Sequence, residues 1–138
     1  MGKRLTTPFR VLHVALGVTA TLAGLDKFFN ILADWGSYVS PAAAVLLPVP
    51  VPTFMAAVGV IEIAVGIAIL GLAPRLGAYV ASAWLLLVAV NLALAGHFDV
   101  AVRDVVMATA AFTLARGLEV LAARKAVAET RTGRIVAA

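Results

Sequence analysis

The chain has 138 residues, 63% of them hydrophobic and only 13% charged, with a formal net charge of +4. Soluble domains carry about 25% charged residues, and the mean hydropathy here is +1.05, so an ordinary soluble domain is excluded and an integral membrane protein is indicated. The absence of cysteine removes disulfides, thiolate metal sites and cysteine nucleophiles, and no basic patch interleaved with aromatics suggests nucleic-acid binding.

The first apolar segment covers residues 9–32 and ends in polar Asp26, Lys27 and Asn30. Lys3 and Arg4 followed by Val11 to Thr21 imitate a secretory leader, but Thr21-Leu22-Ala23 is a poor cleavage site and the helical pattern runs past it. The segment is therefore expected to stay as a span. Residues 33–51 follow as an interfacial flap with Trp35 and Tyr38, then Pro41, Pro48 and Pro50. Aromatic residues favour the membrane interface, and the Pro48 to Pro52 run is incompatible with a helix interior. A short helix fits Pro41 to Leu47.

Further spans are expected at residues 52–73, 76–95 and 100–123, each close to the ~20 residues that cross a bilayer as a helix. They are joined by Ala73-Pro74-Arg75 and by Gly96-His97-Phe98-Asp99, links so short that neighbours must be antiparallel. Residues 124–138 are polar with scattered alanines and read as a fraying helical extension or a docking tail. The expected fold is all-α, an integral membrane four-helix bundle forming a single domain. Of the eleven positive residues, all but Lys27 and Arg103 fall at the end of the bundle that holds both termini. The positive-inside rule places that end, and both termini, in the cytoplasm, which makes the protein a multi-pass component of the inner (cytoplasmic) cell membrane.

Glu62 lies within the apolar run Pro52 to Leu72, about 15 Å below Pro52 at ~1.5 Å per residue. A charge at that depth needs a partner, a water-lined cavity or a bound proton, and marks a candidate functional site. Gly59, Glu62 and Gly66 share one helix face, and the small residues let another helix approach, so Glu62 should face protein. Matching stripes occur at His13, Gly17, Ala20, Gly24 and Lys27, and at Gly77, Ala81, Trp84, Val88 and Asn91. On the last span Arg103 or Asp104 can lead the inward face. Lys27, Asn91, Arg103 and Asp104 all fall in the same half of the bundle as Glu62. A polar cluster is therefore expected, with Glu62 and Lys27 as its reactive pair. Asp26, Asn91, Arg103 and Asp104 surround that pair, and Trp35, Tyr38 and His97 cap it. Two readings are open: an outward-side ligand pocket or proton-handling site, opening away from the cytoplasm, or an internal ion-pair network that fixes helix register. Near the interface, Asp99 and Arg103 have the spacing of an ordinary i,i+4 pair.

His13 and His97 are separated by most of the membrane thickness and cannot share one haem iron; His13 should hydrogen-bond between helices. No metal-ligand spacing, phosphate loop or Ser-His-Asp arrangement is present. A channel or carrier would need a dimer, and the halves of the chain are not evident copies of each other.

Ala23-Gly24-Leu25-Asp26-Lys27-Phe28-Phe29 and Gly59-Val-Ile-Glu62-Ile-Ala-Val-Gly66, within four spans, resemble the DoxX-like family of small membrane proteins over about Arg10 to Glu119. The resemblance implies a small subunit near thiol, sulfur or quinone redox chemistry, with Lys27 and Glu62 lining the shared site and a quinone as the implied ligand. Lacking cysteine, the chain departs from any thiol-based role. The function expected is an accessory subunit associated with quinone-linked or other redox chemistry, in contact with membrane lipid and with other membrane subunits or a second copy. The alternative is a structural or assembly subunit with no site of its own.

Overall fold

A computed structural model describes the backbone of residues 2–136 and the side chains of residues 6–133. The side chains of Lys3, Arg4 and Arg134, which enter the charge asymmetry, and tail residues 137–138 lie outside the described residues. Helices are the regular structure of the described residues, in the order α1 (Gly2–Asp26), a 3-10 turn (Trp35–Tyr38), α2 (Pro41–Leu46), α3 (Val51–Ile67), a π segment (Ala68–Leu72), α4 (Pro74–Leu94) and α5 (Phe98–Val136). Helices α1, α3 with its π segment, α4 and α5 are each long and apolar enough to cross a membrane.

Proline and capping chemistry set most boundaries. Pro41 and Pro74 begin α2 and α4, and Pro52 lies in the first turn of α3, positions where a missing N–H costs nothing. Ser40 caps α2, its hydroxyl accepting from the Ala43 N–H at 3.1 Å. At the end of α4, Gly96 takes φ +84°, and the His97 N–H reaches back to the Leu92 carbonyl at 2.9 Å. That left-handed residue is what lets the chain turn so sharply into α5.

Helix α1 stops at Asp26, six residues short of the expected Leu32. The Asp26 carboxylate accepts from the N–H groups of Ile31 and Leu32 at 3.0 and 2.9 Å, and Asn30 sits at φ +51°. The acid thus folds the following turn back onto the helix end. At the other limit, α5 runs without a break to Val136, so the expected tail is one continuous helix with the last span.

Two close helix pairs make up the bundle, and small residues explain both. A Cβ at Gly24 would lie 2.7 Å from the Gly59 carbonyl, and one at Gly59 would lie 2.7 Å from the Gly24 carbonyl. Helices α1 and α3 therefore cross backbone to backbone, as happens where lipid supplies no hydrophobic drive and van der Waals contact must do the work. Ala101, Ala108, Ala111 and Ala115 of α5 are buried, and the Ser82 hydroxyl on α4 donates to the Ala108 carbonyl at 2.9 Å. The apolar core joins the pairs around Ile69 in the π segment, with Leu16, Val65, Ala81, Ala111 and Leu114. Phe9 lies over Gly117, so the start of α1 and the later part of α5 share one end of the bundle, here termed the basic end. The opposite end carries the 3-10 turn and α2 and is termed the flap end. Outward faces are apolar, as along α1 at Val11, Val14, Val18, Leu22 and Leu25, which gives lipid a continuous surface.

Candidate functional site

Glu62 occupies the middle of α3, on the face that also buries Val58, Gly59, Val65 and Gly66. The Gly24–Gly59 crossing brings Lys27 against that face. Its Nζ lies 2.5 Å from Glu62 Oε2, and the two side chains are only 4% and 15% exposed. Lys27 stands just beyond the end of α1, beside Gly59, so its stem runs about one turn, ~4.5 Å, deeper along α3 to reach the acid. It does not snorkel toward head groups. A buried ammonium and carboxylate in contact compensate each other, whereas either alone would carry a penalty of several kcal/mol.

Aromatic groups close the pair. The Trp35 ring centroid is 3.8 Å from Lys27 Nζ, a cation–π arrangement that gives the ammonium a second electron-rich partner. From α4 the Trp84 indole N–H points at the other oxygen, Glu62 Oε1, at 3.5 Å. These are the chain's two tryptophans, and both touch the same ion pair.

The flap is tied down by two polar side chains. Asp26 accepts from the Trp35 indole N–H at 2.7 Å, in addition to its two backbone donors. Asn91, near the end of α4, accepts from the Ser40 N–H at 3.0 Å and donates to the Tyr38 carbonyl at 2.8 Å. Tyr38 is further held edge-on by the His97 ring, with centroids 5.0 Å apart. Asp26, Asn91 and His97 therefore act on the lid, while Trp35 acts on the pair itself.

Asp104 is half-buried and interacts electrostatically with Glu62, Lys27 and Arg103. It makes no direct hydrogen bond or ion pair among the described residues. Arg103 is exposed. Ala101, Asp104, Ala108, Ala111 and Ala115 follow one helical stripe, which leaves Arg103 about 100° away from the bundle interior. Of the two alternative faces on this helix, the one led by Asp104 is the inward one. The Asp99–Arg103 pair is not formed either; the described ion pairs are Lys27–Glu62, Arg116–Glu119 and Lys125–Glu129.

Three contributors were not among the expected site residues. Trp84 could have been found from its place on the Gly77–Ala81–Asn91 stripe. Ser40 is fully buried and is signalled by Ser-Pro at the start of α2. The π segment gives no signal within Ile67 to Leu72, yet it presents the Ile69 carbonyl to His13 Nε2, the interhelical bond expected of that histidine. No group of three or more potential metal ligands occurs among the described residues.

Comparison of the chain with family models, with curated proteins and with solved structures gives no match. The functional reading therefore rests on the geometry. Lys27 and Glu62 are in direct contact, and Asp104 stands within electrostatic reach of both.

Proposed function

We propose that this protein is a small multi-pass membrane subunit of the DoxX-like kind, serving quinone-linked or related redox chemistry. Glu62 accepts or relays a proton, and Lys27 holds its charge. Asp104 is a second acceptor within electrostatic reach, and the Trp35 flap governs access. The observation that carries this reading is the Lys27–Glu62 pair, with both tryptophans placed against it. Intramembrane ionisable groups are rare and costly, and are retained chiefly where they do chemistry or transport. An aromatic, apolar surround also suits a planar quinone. The basic end faces the cytoplasm of the inner membrane, and other membrane subunits or a second copy complete the working assembly. A phosphatase fused to the C-terminus should therefore be inactive in cells.

Tight closure of the pair favours a second reading, an ion pair that only fixes the register of α1 on α3. One experiment separates the two. A short-chain benzoquinone is titrated into the purified protein in neutral detergent, following tryptophan emission, for the native chain and for Lys27→Met/Glu62→Met. Exchange of a buried ion pair for apolar residues is often neutral or stabilising, so the double variant should fold. Saturable quenching in the native chain that is lost in the variant supports the redox reading. Linear, collisional quenching that is the same in both leaves the register role alone.

A further inference from the structure

At the basic end, remote from Glu62, a cleft of about 330 Å³ runs along α5 beside the start of α1. Gly117 and Phe9 line it: a Cβ at Gly117 would fall 2.1 Å from the Phe9 ring, so the missing side chain lets that ring pack on α5. Thr113, Val120 and Leu121 line it as well, together with Arg116 and Arg124. We propose that this cleft binds an anionic phospholipid, with an acyl chain along the apolar wall and the phosphate held by the two arginines.

The apolar lining selects a molecule with a tail over a free anion. Phe9 and Gly117 lie where α1 enters its apolar span, so the cleft straddles the level at which acyl chains give way to head groups. Arg116 and Arg124 are separated by eight residues, about 12 Å along the helix, and border the head-group side. The Arg116 side chain is 60% exposed; it pairs one Nη with Glu119 and also interacts with the Tyr79 hydroxyl, and its remaining guanidinium donors are open to a phosphate. Arg124 is exposed and has no hydrogen bond or ion pair among the described residues. A zwitterionic head group finds less, because the nearby acid Glu119 already receives the Tyr79 hydroxyl at 3.0 Å and Arg116. Basic sites between spanning helices are a known mode of recognising anionic lipid.

The test titrates the purified protein in neutral detergent with dioctanoyl phosphatidylglycerol or dioctanoyl phosphatidylcholine, reading the melting temperature and the lipid retained in native mass spectra. Phosphatidylglycerol should bind saturably and raise the melting temperature, and phosphatidylcholine should not. Arg124→Gln, which removes no hydrogen bond or ion pair among the described residues, should weaken that binding about five-fold. Arg116→Gln should act in the same direction, and Arg75→Gln, at the α3–α4 turn of the same end, should leave it unchanged. Equal binding of the two lipids, or equal losses from Arg75→Gln and Arg124→Gln, would overturn the site in favour of diffuse surface attraction.

Discussion

Replacing Gly59 with alanine should pull apart the crossing that positions Lys27 on Glu62. The added Cβ would lie 2.7 Å from the Gly24 carbonyl oxygen, 3.0 Å from a Phe28 ring carbon and 3.2 Å from Lys27 Cβ. The first of these is backbone and cannot rotate away, so the two helices must separate by a few tenths of an ångström, with the Lys27 stem displaced as well. Overpacking of this kind costs about 1–3 kcal/mol, which for a chain of this size corresponds to a fall of about 3–10 °C in melting temperature. Trp35 and Trp84 both contact the pair, so intrinsic fluorescence during heating reports stability and site geometry together. Gly71→Ala is the control, because a Cβ there meets nothing within 4 Å. Should Gly59→Ala melt with Gly71→Ala and keep the native emission spectrum, the backbone-to-backbone crossing and the placement of Lys27 derived from it are wrong.

Further outcomes concern the flap and the basic end. Asn91→Leu removes both bonds from α4 to the flap, about 2 kcal/mol at ~1 kcal/mol each, and should raise amide exchange around Ser40 while leaving the spanning helices protected. Asp26→Asn loses an acceptor shared by Leu32 and the Trp35 indole, and should shift tryptophan emission to the red as Trp35 is released; an unchanged spectrum would place Trp35 under other control. Tyr79→Phe removes the hydroxyl that Glu119 receives; it should lower the melting temperature slightly and leave quinone quenching as in the native chain, since it lies at the opposite end from the pair.

Much of this architecture is written in local patterns. Four apolar runs, the proline-marked starts of α2 and α4, and the small-residue stripes on α1, α3 and α4 each obey a periodicity that survives folding. The stripes already turn Glu62 toward Lys27, because any face containing Gly59 and Gly66 must be the face a neighbour approaches. What could not be read depends on contacts made only after the chain turns. Leu25 to Phe29 contains no helix breaker, and α1 ends there because Asp26 captures two N–H groups that follow it. Arg103 and Asp104 are adjacent, so the sequence admits either face of α5, and the buried alanine stripe beginning at Ala101 makes the Asp104 face the inward one. The π segment arises in a uniformly apolar stretch, where Ile69 packs against Gly77, a contact between residues on either side of a turn. The tail is helical because its alanines, Lys125 and Glu129 support a helix even where its described side chains, up to residue 133, are exposed.

The most direct measurement is a thermodynamic cycle on Lys27→Met, Glu62→Met and the double variant, with unfolding followed in one detergent. Each single change leaves an uncompensated charge in the bundle and should cost about 3–5 kcal/mol, while the double variant should return to within about 1 kcal/mol of the native chain. If the two single losses simply add in the double variant, Lys27 and Glu62 are not coupled, and the site built around them does not exist.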